Sequence, residues 1–147
     1  MLRHNRNCIF GLIMTPKRTQ ILNKFNGNCA YCGVALNWKF QVDHVIPKEY
    51  FIDKVKFKRV PNFLTHLGES DVSHVDNLFP SCASCNNYKH SMDLETFRGE
   101  LGKLVTRLNS YSSIYRIAKR FGQIEETKAE LRFHFEYYDG FGKQKSQ

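Results

Sequence analysis

Two Cys-x-x-Cys pairs, Cys29-Ala-Tyr-Cys32 and Cys82-Ala-Ser-Cys85, constrain this chain more than any other feature. Within a pair the spacing lets both thiolates turn toward one ion, and two pairs complete a tetrahedral zinc site. A single pair would also suit redox chemistry, whereas two in one chain point to a metal. An ion shared between pairs so far apart ties distant segments together. With four sulfur ligands no coordination position is open, so the expected Zn²⁺ is structural and not catalytic. Cys8 is left over and reads as a small buried hydrophobe.

Clustered cysteines that bind metal belong in a reducing compartment. No apolar run approaches the roughly 20 residues that a spanning helix needs. The short stretch Cys8–Met14 contains a glycine and leads into Thr-Pro-Lys-Arg, so it reads as a buried strand or packed segment, not as a signal peptide. The expectation is a cytoplasmic protein with no membrane partner.

The 147 residues suffice for one domain with a real core, and a hydrophobic fraction of 41% excludes wholesale disorder. The formal charge of +8 suits a polyanionic partner, most simply nucleic acid, or equally a basic protein that is merely soluble. It is unevenly spread: no acidic residue precedes Asp43, while Arg3, Arg6, Lys17, Arg18, Lys24 and Lys39 all do. That asymmetry suggests a basic face or arm near the N-terminus.

Local signals divide the chain. Thr15-Pro16 starts a helix whose apolar face is Ile21, Leu22 and Phe25, with Gly27 as its stop. The stretch around Val34–Asn37 and Lys39–Val45 reads as a hairpin. Residues 49–75 read as an insertion in which Lys54, Lys56, Lys58 and Arg59 are interleaved with Tyr50, Phe51, Phe57 and Phe63. That mixture suits a nucleic-acid backbone and its bases, or equally a solvated loop anchored by its aromatics. Leu94, Phe97, Leu101, Leu104, Val105 and Leu108 recur at helical spacing behind Asp93, the candidate N-cap. Ser112 or Ser113 caps a further helix carrying Ile114, Ile117, Ala118 and Phe121, ended by Gly122. Leu131, Phe133, Phe135 and Tyr137 alternate with polar residues, predicting a late strand that stops at Asp139-Gly140.

Around the cysteine pairs lie Val42-Asp43-His44-Val45-Ile46-Pro47, then Asp76-Asn77-Leu78, then Cys85-Asn86-Asn87-Tyr88-Lys89. This order resembles the HNH endonucleases, or ββα-metal nucleases. Their pattern is an Asp-His pair on the first strand, a central Asn, and a His or Asn directly after the second knuckle, with a Lys three further on. The resemblance spans about residues 28–92. It implies an α+β fold: a zinc-stapled ββα-metal core with additional N- and C-terminal helices and a late strand. The whole chain, 1–147, would be a single HNH nuclease domain with 93–147 as a helical extension.

The chemistry asks for these residue types in its own right. Hydrolysing a phosphodiester needs a base to deprotonate water and a cation to stabilise the departing oxygen. His44 suits the base, because an imidazole titrating near 6.5 is neutral at physiological pH. Asp43 and Asn86 offer oxygen ligands to a hard catalytic ion, Mg²⁺ or Mn²⁺. On a strand the neighbours Asp43 and His44 point to opposite faces, and so could address opposite sides of one phosphate. By the resemblance Asn77 holds the base-bearing loop through backbone hydrogen bonds. Asn86 takes the third position, which makes this an HNN variant, although Asn87 stands one residue on. Lys89 would reach a phosphate, joined by Lys48 and the basic residues of the insertion. His66, His74 and His90 lie nearby in sequence without an assigned role.

The implied activity is metal-dependent cleavage of DNA, double-stranded in the simplest case, by a bacterial or phage-encoded enzyme. The rival from another class is a non-catalytic zinc-containing DNA-binding module, which needs the cysteines but not Asp43, His44 and Asn86 together. A weaker third option is a protein that binds or cleaves RNA, since charge alone does not separate the two nucleic acids.

Overall fold

The computed structural model describes residues 14–53, 60–128 and 130–141. Helix α1 spans Pro16–Asn23. Its start follows from chemistry at two positions: the Thr15 hydroxyl accepts the Arg18 N–H at 3.3 Å, and Pro16 occupies a first-turn site where no N–H is needed. Ile21 is its buried residue, and Phe25, just beyond the helix, is wholly buried in the main core.

Strand β1, Gln41–His44, pairs antiparallel with strand β2, Leu78–Ser81, in the register Gln41↔Ser81 to His44↔Leu78. This corrects the expected hairpin. The Val34–Asn37 stretch contributes only an isolated bridge, Asn28↔Ala35, that closes the loop carrying the first cysteine pair. The true partner of β1 lies beyond the insertion. All four β2 residues are buried, and that burial stabilises the non-local pairing. Helix α2, Ala83–Lys89, follows directly, with Cys82 as N-cap.

Helices α3 (Leu94–Gly102), α4 (Leu104–Tyr111) and α5 (Ser113–Arg120) follow. Asp93 caps α3, accepting the Thr96 N–H at 2.8 Å, and Ser112 caps α5. The helical spacing from Leu94 to Leu108 is interrupted at Lys103, where ψ opens to −7°. Only Leu94 and Phe97 of that series are buried; α4 and α5 bury nothing, and Ile114 and Phe121 are both 80% exposed.

The late strand is also corrected. Residues 134–137 form a turn of 3₁₀ helix. The reason is Glu136, which faces inward: its carboxylate accepts the Phe133 N–H at 2.8 Å and pairs with Arg98 at 2.7 Å, bending the chain. The alternation holds for burial only in part: Phe133 and Phe135 are each 1% exposed, but Tyr137 is 64% exposed and Glu136, expected on the outer face, is buried. This segment docks on the first cysteine pair through His134 N–H to Tyr31 O (2.9 Å) and Phe135 N–H to Ala30 O (2.8 Å). Its rings join Phe25, Phe79 and Phe97 in an aromatic core, with Phe25–Phe79 centroids 4.9 Å apart and Phe97–Phe133 5.4 Å apart. Each fully buried phenylalanine contributes about 1.5–3 kcal/mol.

The fold is therefore α+β: helices with a small two-stranded antiparallel sheet. Among the described residues no helix is long and apolar enough to cross a membrane. Lys54, Lys56, Lys58 and Arg59, and the Arg3, Arg6 and Cys8–Ile13 stretches, lie outside the described residues.

Candidate metal centre and adjoining cleft

The sulfurs of Cys29, Cys32, Cys82 and Cys85 lie within 4.8 Å of one another. The Cys32 and Cys82 sulfurs are 3.8 Å apart, which is the edge of a tetrahedron with metal–sulfur bonds of about 2.3 Å. Four cysteines so disposed can hold a zinc ion. Each pair sits on a turn that aims backbone N–H groups at sulfur: Cys82 N–H at Cys29 Sγ and Cys85 N–H at Cys82 Sγ, both 3.4 Å. The Cys29 thiol is held below the ordinary thiol value, chiefly because Cys85 donates to it, and Cys85 is held above it by the same contact. Gly33 completes the first turn at φ +76°; a side chain there would also meet His134 Nδ1 at 2.9 Å.

Beside this cluster a cleft of about 300 Å³ is lined by residues of β1, α2 and the turn after β1, among them Asp43, His44, Lys48, Asn86, Asn87 and His90. The pairing of β1 with β2, which leads straight into α2, brings Asp43, His44 and Asn86 to one opening.

Asp43 is buried and points inward from β1. Its Oδ2 accepts from the Tyr31 hydroxyl, which comes from between the first two cysteines, and pairs with Lys89 Nζ at 3.0 Å. Burial raises the Asp43 carboxyl above the ordinary carboxylate value, against the pull of Lys89 and the Tyr31 hydroxyl. Oδ1 accepts no hydrogen bond among the described residues. His44, on the opposite face of the strand, is half-buried. Its pKa is lowered by burial first, then by the charges of Lys48, Lys89 and Lys17, all of which favour the neutral imidazole.

Asn77 is wholly buried. Its Oδ1 accepts the Ile46 N–H at 2.8 Å, while Nδ2 donates to Ile46 O (3.3 Å) and Val72 O (3.0 Å). Its backbone carbonyl takes the Val45 N–H at 2.9 Å. The two residues after His44 are thus clamped from both sides. Asn86 donates its amide N–H to Gln41 Oε1 at 2.6 Å, and its amide oxygen accepts no hydrogen bond among the described residues. Asn87 is exposed at the rim.

Lys89 departs from its expected place. Its side chain is fully buried, paired with Asp43 and donating to His44 O at 2.9 Å. A phosphate contact by Lys89 is therefore corrected to an internal ion pair. The reason is periodicity: Lys89 lies four residues after Cys85 and shares its inward face. Lys48 remains exposed on the cleft rim.

Sequence reading missed Tyr31 and Gln41, the partners of Asp43 and Asn86. Tyr31 carries a signal after all, since a residue between two cysteines of a knuckle is held against the core. Gln41 carries one as well, as the i−2 neighbour of Asp43 on the same strand face.

No protein-family model, curated protein or solved structure matches the chain.

Proposed function

We propose that this protein is a metal-dependent endonuclease of the HNH type that hydrolyses DNA phosphodiesters, with its β1–β2–α2 unit stapled by Zn²⁺ on Cys29, Cys32, Cys82 and Cys85. One observation carries the reading: His44, Asp43 and Asn86 line one cleft, and Asn86 directly follows Cys85 of the cysteine cluster.

The donors fit a hard divalent ion. Asp43 keeps Oδ1 free while Oδ2 is fixed by Tyr31 and Lys89, and Asn86 keeps its oxygen free while Gln41 fixes its nitrogen. Two oxygens so held suit Mg²⁺ or Mn²⁺ with water filling the remaining positions. When bound, such an ion supplies positive charge that stabilises the phosphate and its leaving oxygen. His44 takes a proton from the attacking water. The new P–O bond forms as the P–O3′ bond breaks, and O3′ takes a proton from solvent water, leaving a 5′-phosphate and a 3′-hydroxyl. Asn77 keeps His44 in place by clamping Val45 and Ile46. Lys48 on the rim, with the overall charge of +8, draws the polyanion in.

The alternative, a zinc-containing DNA-binding module without catalysis, draws on one observation. Tyr31 and Lys89 account for the Asp43 carboxylate without any ion. Plasmid DNA incubated with the protein in Mg²⁺ or Mn²⁺ separates the two readings. The nuclease nicks or linearises it, and His44→Ala abolishes cutting while DNA binding and folding persist. Binding without cutting in any divalent metal would leave the second reading standing, and normal cutting by His44→Ala would remove His44 as the base.

A further inference from the structure

We propose a third divalent-ion site, apart from the cysteine cluster and the His44 cleft, formed by His66, His74 and Asp76. His66 Nε2 stands 2.9 Å from Asp76 Oδ2 and His74 Nδ1 stands 3.6 Å from the same oxygen. The three ligand atoms all lie within 4.8 Å of one another. A tetrahedral ion with bonds of about 2.0–2.1 Å holds its ligand atoms roughly 3.3 Å apart. The two distances to Oδ2 straddle that value, and partly exposed rings close the remainder by small rotations.

The backbone that carries these groups is already ordered. Between the two histidines, Gly68 and Asp71 bond each other in both directions, and the His74 N–H reaches Asp71 O at 2.9 Å. Asn77 Nδ2 holds Val72 O, and Lys17 and Lys24 of the α1 region hold Ser73 O and Val75 O. Little ordering entropy is thus left for an ion to overcome. Binding exchanges two existing contacts, the His66–Asp76 hydrogen bond and the 3.2 Å Asp76 N–H to His74 Nδ1 bond, for three ligand bonds.

Two imidazoles and one carboxylate select borderline transition ions (Zn²⁺, Ni²⁺, Co²⁺ or Cu²⁺) over Mg²⁺. Three protein ligands leave a position for water, and side chains 44–53% exposed make the ion exchangeable. The ion ties His66 to the residue preceding Asn77, and so strengthens the turn that clamps the loop after β1.

The test uses the untagged full-length chain, loaded with zinc and freed of excess, titrated calorimetrically with Ni²⁺ while an indicator reports released zinc. We expect about one Ni²⁺ per chain without zinc release, a raised melting temperature, and no competition from millimolar Mg²⁺. His66→Ala and His74→Ala should each weaken Ni²⁺ binding by more than the roughly tenfold to hundredfold that outer-shell changes cost. Both positions are exposed, and His66→Gln, which keeps a polar partner for Asp76, controls for folding. Absence of Ni²⁺ binding, Ni²⁺ uptake matched by zinc release, or unchanged affinity in the folded histidine variants would each overturn the proposal. None of these outcomes bears on DNA cleavage.

Discussion

Replacing Lys89 by Met keeps the length of the aliphatic stem and deletes the ammonium group. The Lys89 side chain is fully buried, 3.0 Å from Asp43 Oδ2 and 2.9 Å from His44 O. Its loss leaves an inward-facing carboxylate with only the Tyr31 hydroxyl as partner. Breaking a buried pair in this way costs about 3–5 kcal/mol, a large share of the roughly 5–15 kcal/mol that holds a domain together. For a chain of this size, at about 2–4 °C per kcal/mol, the melting temperature should fall by roughly 6–20 °C. The double variant Lys89→Met with Asp43→Asn removes the stranded charge as well and should recover part of the loss. The expected coupling is about 1–3 kcal/mol.

The pH dependence of that cost has a definite sign. Burial already raises the Asp43 carboxyl above its ordinary value, so the folded state holds this proton more tightly than the unfolded chain does. Its contribution to stability is present at low pH and is lost as pH rises through the folded-state value. Without Lys89 that value moves further up. The Lys89→Met penalty should therefore be smallest in acid and grow toward neutrality. Urea denaturation of the four proteins of the cycle, at several pH values, measures all of this. A Lys89→Met protein within about 0.5 kcal/mol of wild type, with the salt slope of DNA binding reduced by about one unit, would refute the buried pair and return Lys89 to a phosphate.

Three further outcomes are expected. Cys82→Ser should lower zinc from about one ion per chain to almost none and remove the cooperative melt, as elemental analysis and circular dichroism would record. The rate of DNA cleavage should climb with pH around a midpoint below 6.5, because burial and the charges of Lys48, Lys89 and Lys17 lower the His44 pKa; Lys48→Gln should move that midpoint upward, read from plasmid nicking across a pH series. Glu136→Gln should cost about 2–3 kcal/mol in urea, since this nearly buried carboxylate serves both Arg98 and the Phe133 N–H.

Where a signal was local, the sequence carried it. Thr15-Pro16, Asp93 and Ser112 satisfy backbone N–H groups within the next three residues, so their helix starts could be read without knowing what the helices touch. The cysteine pairs were legible for the same reason: each knuckle is a short turn, and four thiols leave few alternatives to meeting. Strand pairing is not local. Nothing in Val34–Val45 says that Gln41 will face Ser81, and the turn-rich stretch beside it imitates a hairpin. The segment at 131–138 shows a different failure. Its alternation forecast which phenylalanines are buried but not the backbone that buries them, because one inward glutamate bonded to Arg98 bends the chain into a turn.

At the candidate site the residue types were legible and their partners were not. Asp43 was chosen as a ligand from its place before His44. What tunes it is a tyrosine between Cys29 and Cys32 and a lysine four residues after Cys85. Each of these partners is thus carried by one cysteine pair, and both converge on Oδ2 of one carboxylate. The consequence is physical. Any loss of order in either knuckle moves Tyr31 or Lys89 and withdraws a partner from a buried charge, whose desolvation then raises its pKa and favours its neutral form. A neutral carboxyl is a poor ligand for a divalent ion. Under the nuclease reading, the cysteine cluster therefore does more than hold the fold together: it carries the two partners, Tyr31 and Lys89, that favour the charged form of Asp43 against its burial.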